Sequence, residues 1–132
     1  MSEIGTYTIT VDEARKNIRI DVEGTFDDNK AEEFHNHYLS KILPIETTEY
    51  VLILNSLDMD VISREMLPKL QVTFALYRKS NYKEICFIIL NDEIRQQVKK
   101  VISFSGITDI SDISFILPED VESKIEQHLN SI

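Results

Sequence analysis

Near the start of the chain, apolar Tyr7, Ile9 and Val11 alternate with Thr6, Thr8 and Thr10, and Ile18, Ile20 and Val22 alternate with Arg19, Asp21 and Glu23. A period of two predicts two strands, each with one buried face. The polar link from Asp12 to Asn17 is short enough for a hairpin, so the pair is expected to be antiparallel and to lie toward one side of a sheet. Val51 to Leu54 and Ile85 to Leu90 are unbroken apolar runs instead. That pattern suits strands covered by helices on both faces, so these two should form the sheet's interior.

Between the strands the apolar period changes to that of a helix. Ala31, Phe34, Tyr38 and Ile42 share one face, after a cluster of possible caps at Asp27, Asp28 and Asn29, with Asn29 and Glu32 spaced as a capping box and Pro44 marking the end. A second stripe runs through Leu67, Leu70, Phe74 and Tyr77. Pro68 cannot sit in a helix interior without removing a hydrogen bond, so that helix should begin near it, leaving Asp58 to Met66 as a loop or irregular turn. Ile94, Val98, Val101 and Ser105 mark a third helix that stops at Gly106, a residue suited to the left-handed position after a helix. A short strand around Ile113 to Ile116 follows. The last helix spans about Glu119 to Leu129, with Val121, Ile125 and Leu129 facing inward.

Strand and helix alternate after the hairpin, which predicts an α/β fold with a mostly parallel sheet, an N-terminal antiparallel hairpin and about four helices. The 132 residues suit a single domain, 1–132, able to bury about two-thirds of its unfolded-chain surface without disulfides. Lys and Arg number 14 against 23 Asp and Glu, a net charge of 14 − 23 = −9 that repels nucleic-acid phosphates and anionic lipid surfaces. Nucleic acid is therefore not an expected partner. The opening MSEIGTYTIT lacks a basic, apolar leader, and the longest apolar run is Ile85 to Leu90, so a cytoplasmic protein without membrane insertion is expected. Cys86, the single cysteine, lies within ICFIIL and reads as a buried, inert thiol.

The tail VKKVISFSGITDISDISFILPEDVESKIEQHL resembles that of the STAS domain, the fold of SpoIIAA-like anti-sigma factor antagonists. There a helix ends in a Gly-Leu pair, here Gly106-Ile107, before a short strand and an acidic closing helix. The resemblance extends over nearly the whole chain and implies a non-catalytic, regulatory protein-interaction domain. In that family a V-L-D-L-S strand leads to a D-S-S-G loop whose serine is phosphorylated by a switch kinase. This chain reads VLILNSLDMDVISREM: Ile53 stands in place of the strand aspartate, Asp60-Val61-Ile62-Ser63 replaces the aspartate and paired serines, and Arg64 stands where glycine is expected. Such a departure implies a phosphate switch that is lost or rebuilt. The implied partner is a protein, an anti-sigma factor or kinase-like regulator, docked on Asp58, Met59, Asp60, Val61, Ile62, Ser63 and Arg64 and on the exposed side of the second helix.

Ser63 is the nearest candidate phosphosite, since a phosphate at the start of the second helix would meet free amides and Arg64, although Asp58, Asp60 and Glu65 crowd it with negative charge. Serine at such a position more commonly serves as a turn or cap residue. Ser56 has less support still. Met59, Val61 and Ile62 bring apolar side chains into the acidic loop, either as a docking face or, by inward packing, as a cover for the core. Asp58 and Asp60, two apart after an apolar strand, resemble the nucleophile pair of haloacid dehalogenase-like phosphatases. Yet they fall mid-chain, Asn55 to Leu57 intervene, and no later acidic pair has a metal-binding context, so a solvated acidic loop is the stronger reading.

His35 and His37 diverge on a helix and read as surface residues, and His128 stands alone. No nucleophile elbow, glycine-rich phosphate loop or paired-cysteine motif occurs, so no catalytic residue, metal or cofactor is assigned. An alternative function is carriage of an apolar small molecule or lipid, as in CRAL-TRIO domains, with Phe34, Tyr38, Phe74 and Tyr77 lining a cavity between helix and sheet. Those domains usually carry extra gating helices, and the same aromatics would also fill a core. A homodimer through the strand edge Tyr7 to Val11 is a further possibility.

Overall fold

A computed structural model describes residues 5–132. Five strands form one sheet in the order β1-β2-β3-β4-β5: β1 is Thr6–Asp12, β2 Asn17–Gly24, β3 Val51–Met59, β4 Glu84–Ile88 and β5 Asp112–Phe115. The β1–β2 pair is antiparallel, with Ile9 opposite Ile20, and the other three pairings are parallel. The hairpin therefore sits at one edge of the sheet, and β3 and β4 lie inside it.

Helices α1 (Asp28–Ile42), α2 (Leu67–Ser80) and α3 (Asp92–Ser105) make the three parallel crossovers, and α4 (Val121–Asn130) closes the chain. The first three pack on one face. Leu52, Leu54, Ile85 and Phe87 point into that larger core with Phe34, Tyr38, Phe74, Tyr77 and Val98, while Val51, Ile53, Cys86 and Ile88 meet Val121 and Ile125 of α4 on the opposite face. This explains both sequence patterns. β3 and β4 are covered twice where they are unbroken apolar runs, Val51 to Leu54 and Ile85 to Ile88, whereas β2 buries Ile18 and Ile20 on one face and presents the Arg19–Asp21 ion pair on the other.

Local corrections follow from cap and strand geometry. The α1 cap is Asp27, whose carboxylate accepts from the Lys30 amide at 2.8 Å, and not the Asn29–Glu32 box. β3 runs on to Met59, so Asp58 and Met59 belong to a strand, and Arg64–Met66 form a turn of 3-10 helix before Pro68 enters the first turn of α2. β4 ends at Ile88, and α3 buries Ile102 more deeply than Ser105. Gly106 does adopt the left-handed conformation, at φ 75°. His128 is buried, its Nε2 2.6 Å from the Glu49 carbonyl oxygen, and His35 is half-buried instead of lying on the surface.

A chain of hydroxyls fixes the inner ends of α1 and α2. Ser80 Oγ donates to the Leu76 carbonyl at 3.1 Å, which leaves Tyr38 to donate to Ser80 at 2.7 Å and Tyr82 to donate to Tyr38 at 2.6 Å. On the edge strand, Lys41 of α1 donates to the Ile9 carbonyl at 2.7 Å and so occupies an acceptor that a second strand would need. Among the described residues no helix is long and apolar enough to cross a membrane.

Candidate functional site

At the carboxyl ends of β2 and β3 the pairing register slips: Asp21 faces Asn55 but Glu23 faces Asp58, so β3 carries one extra residue. Asn55 holds this bulge, donating to Asp21 at 2.8 Å and accepting from the Leu57 amide at 3.2 Å. Bulges bend a strand and re-aim its side chains. Here Leu57 keeps to the α4 face of Val51 and Ile53, whereas Met59, two residues on, turns to the larger core.

Beyond the bulge the chain crosses over the ends of the strands as the 60–63 segment. It is tied on both sides. The Asp60 amide donates to Gly24 O at 3.0 Å and the Thr25 hydroxyl to the Asp60 carboxylate. Farther along, Gln97 of α3 grips the main chain of Ile62, accepting from its N–H at 3.0 Å and donating to its C=O at 2.7 Å.

Under this segment lies a cavity of about 120 Å³. Ile20 and Val22 of β2, Leu54 and Ser56 of β3 and Phe87 of β4 line its sheet side. Ala31 and Phe34 of α1, Leu70, Phe74 and Tyr77 of α2 and Val98 of α3 contribute its helical walls. Met59, Asp60, Val61, Ile62, Ser63 and Met66 line it along the crossing segment, with Thr25 and Phe26 beside them. Lys69 and Thr73 also line it from α2, and Thr73 bridges to α1, where His35 Nε2 lies 2.6 Å from the threonine hydroxyl. Because Thr73 itself donates to Lys69 O at 3.0 Å, His35 must supply the proton of the bridge. Burial, reinforced by the Lys69 ammonium, holds the His35 pKa below its ordinary value, which favours this neutral donor.

The anticipated loop residues thus divide. Met59 packs into the core, Ile62 is half-buried, and Val61 is 42% exposed at the cavity's edge. Asp58 is exposed on β3 beside Glu23, and Asp60 is engaged by Thr25. Ser63 occupies the cap position of the 3-10 turn, is exposed, and makes no side-chain capping bond; Arg64 is exposed next to it. Among the described residues no group of three or more His, Cys, Asp or Glu side chains is placed to hold a metal ion. Of the four aromatics considered for a cavity, Phe34, Phe74 and Tyr77 line this one. Tyr38 instead carries the hydroxyl chain deeper in the core. Gln97 was not anticipated, yet it stands between Ile94 and Val101 on an otherwise apolar stripe, a polar intrusion that signals a contact.

Cys86 is fully buried beneath α4, 3.3 Å from Ser114 Oγ, and desolvation pushes its thiol up to about 12. Ser114 in turn donates to Glu84 at 2.8 Å, and Glu84 pairs with Lys124 at 2.6 Å. This group ties β4 and β5 to α4 and leaves the thiol unreactive.

No protein-family model matches the chain, and no curated protein matches it. Among solved structures, the chain is similar to an uncharacterized protein of the DUF3478 family with a SpoIIAA-like fold from Shewanella loihica PV-4, at a TM-score of 0.65 and 12% identity, over 95% of this chain and 98% of that one. At that identity the likeness concerns the fold: this chain has a SpoIIAA-like architecture.

Proposed function

We propose that this domain is a non-catalytic binding module that holds a small apolar molecule between α1, α2 and the sheet. One observation carries the reading: an apolar-walled cavity lies at the carboxyl ends of the central strands, beneath a segment pinned to two neighbouring elements. Ligand sites in open α/β sheets favour that end, and small-molecule pockets are commonly apolar with a few placed polar groups. The test is native mass spectrometry of the purified protein, together with thermal shift against a panel of single-ring and short-chain apolar compounds. Retained small-molecule adducts or a dose-dependent rise in Tm are expected. Neither adduct nor shift from any compound in the panel refutes it.

The same segment favours a second reading, docking of a protein partner on Asp58 to Arg64. Val61 presents an exposed aliphatic side chain in a stretch of chain that also carries the exposed Asp58, Asp60 and Glu65, the mixture of apolar and charged groups that an interface uses. In this reading the partner would be an anti-sigma factor or kinase-like regulator, and phosphorylation of the exposed Ser63 would modulate the contact. A pull-down from native lysate, repeated with Val61→Asp, tests this reading. It predicts a stoichiometric protein that the variant no longer recovers; equal recovery by both forms argues against this surface.

A further inference from the structure

We infer that the cavity's ligand is a neutral molecule with a body about the size of one ring or a six-carbon chain and one hydroxyl or carbonyl group, which pairs with the Ser56 hydroxyl. This inference rests on the small-molecule reading above and specifies its chemistry. Along β3 the residues facing the larger core are Leu52, Leu54 and then Ser56, so the apolar series breaks at the carboxyl end of the strand, where the cavity lies. Ser56 is only 8% exposed and lines the cavity, and its hydroxyl takes part in none of the side-chain hydrogen bonds of the described residues. The hydroxyl is not among the fully enclosed unpaired side-chain atoms of the described residues, so it keeps a little accessible surface where it meets the cavity, and a ligand group that reaches it exchanges a water contact for a direct hydrogen bond.

Size and charge narrow the class. A dry protein cavity of about 150 Å³ accepts benzene, so about 120 Å³ suits one ring or a short chain, with further substituents directed to the mouth. Asp60 lines the cavity, and its carboxylate disfavours an anionic ligand there. Lys69, the basic residue of the lining, is exposed, and a solvated ammonium at a rim attracts an anion only weakly.

Phenol and toluene differ by hydroxyl against methyl at nearly constant shape and are the probes, with benzoate as the anionic control. Each is titrated into the full chain, wild type, Ser56→Ala and Ser56→Cys, with amide chemical shifts as the readout. Both neutral probes should move the amides around the cavity, phenol should additionally move the Ser56 amide, and benzoate should bind at least about tenfold more weakly than phenol. The phenol-to-toluene affinity ratio should fall by roughly tenfold in Ser56→Ala, with Ser56→Cys in between, the effect expected for loss of one neutral hydrogen bond to a buried group. If both neutral probes bind and that ratio is unchanged in Ser56→Ala, or benzoate binds as well as phenol, the inference is overturned while the cavity reading stands. If no probe binds, the cavity reading falls and takes the inference with it.

Discussion

Replacing Gln97 by Ala removes both hydrogen bonds that hold Ile62 to α3 without touching a cavity wall. Each is a neutral amide bond, and each such bond contributes about 1 kcal/mol net once competition from water is counted. Ile62 is half-buried, so water can partly replace the lost partners, and the pair should contribute about 2 kcal/mol to keeping the segment closed. That corresponds to roughly a thirtyfold rise in the population of the opened segment. Opening need not unfold the domain, because the sheet and its two cores lie below the segment.

Native-state hydrogen exchange followed by NMR reads this directly. The Ile62 amide should lose roughly thirtyfold in protection in Gln97→Ala, while amides of interior strands such as Ile53 and Ile85 change little. Gln97→Glu sharpens the test. At neutral pH its carboxylate can still accept from the Ile62 N–H but cannot donate to the Ile62 carbonyl, so exchange should be faster than in wild type. Unchanged Ile62 protection in Gln97→Ala would falsify the claim that Gln97 holds the segment. A fall spread equally over Ile53 and Ile85 would instead make Gln97 a determinant of global stability.

The hydroxyl chain from Tyr82 through Tyr38 to Ser80 has a direction, so its members should not be equivalent. Tyr82→Phe removes the first donor and should cost about 1 kcal/mol in urea denaturation, whereas Tyr38→Phe strands the Tyr82 hydroxyl and should cost about 2–3 kcal/mol; equal losses would contradict the assigned direction. Cys86 should resist a thiol-specific reagent at pH 8 in the folded protein and react once denaturant unfolds it, and rapid labelling of the native chain would refute its burial. His35 has a lowered folded pKa, chiefly from desolvation and then from Lys69, so the unfolded chain binds its proton first as pH falls. The stability from neutral His35 is therefore present above its ordinary pKa of about 6.5 and is lost as pH falls toward the lower folded value. Urea midpoints measured from pH 8 to pH 5 should fall more steeply for wild type than for His35→Gln, and parallel curves would remove His35 from the α1–α2 bridge.

Most of the architecture was legible along the chain because it depends on short-range periodicity. Period two in β1 and β2, unbroken apolar runs in β3 and β4, and helical stripes in α1 to α4 each report how many faces of an element are covered, and the observed layers agree. Gly106 marked the end of α3 for an equally local reason, since its positive φ strains any residue with a side chain. Cap choice at α1 was less legible, because Asp27, Asp28 and Asn29 all offer a suitable side chain and only the entry angle of the chain selects Asp27.

The candidate site was only partly legible. That the segment after β3 would matter followed from its place at the end of a central strand, but its form did not. The bulge prolongs β3 through Asp58 and Met59, and its register depends on β2, more than thirty residues earlier. Gln97 meets Ile62 across 35 positions, and His35 meets Thr73 across 38. The sequence alone therefore determined which faces are apolar, how many elements form and where they break, because each of those is set by neighbours within a turn or two. Only the tertiary structure decided that Ser56 faces a cavity, that Val61 is exposed while Met59 is packed, and that Gln97 closes the segment, because those outcomes depend on which distant backbone and side-chain groups the crossovers bring within hydrogen-bonding or packing distance.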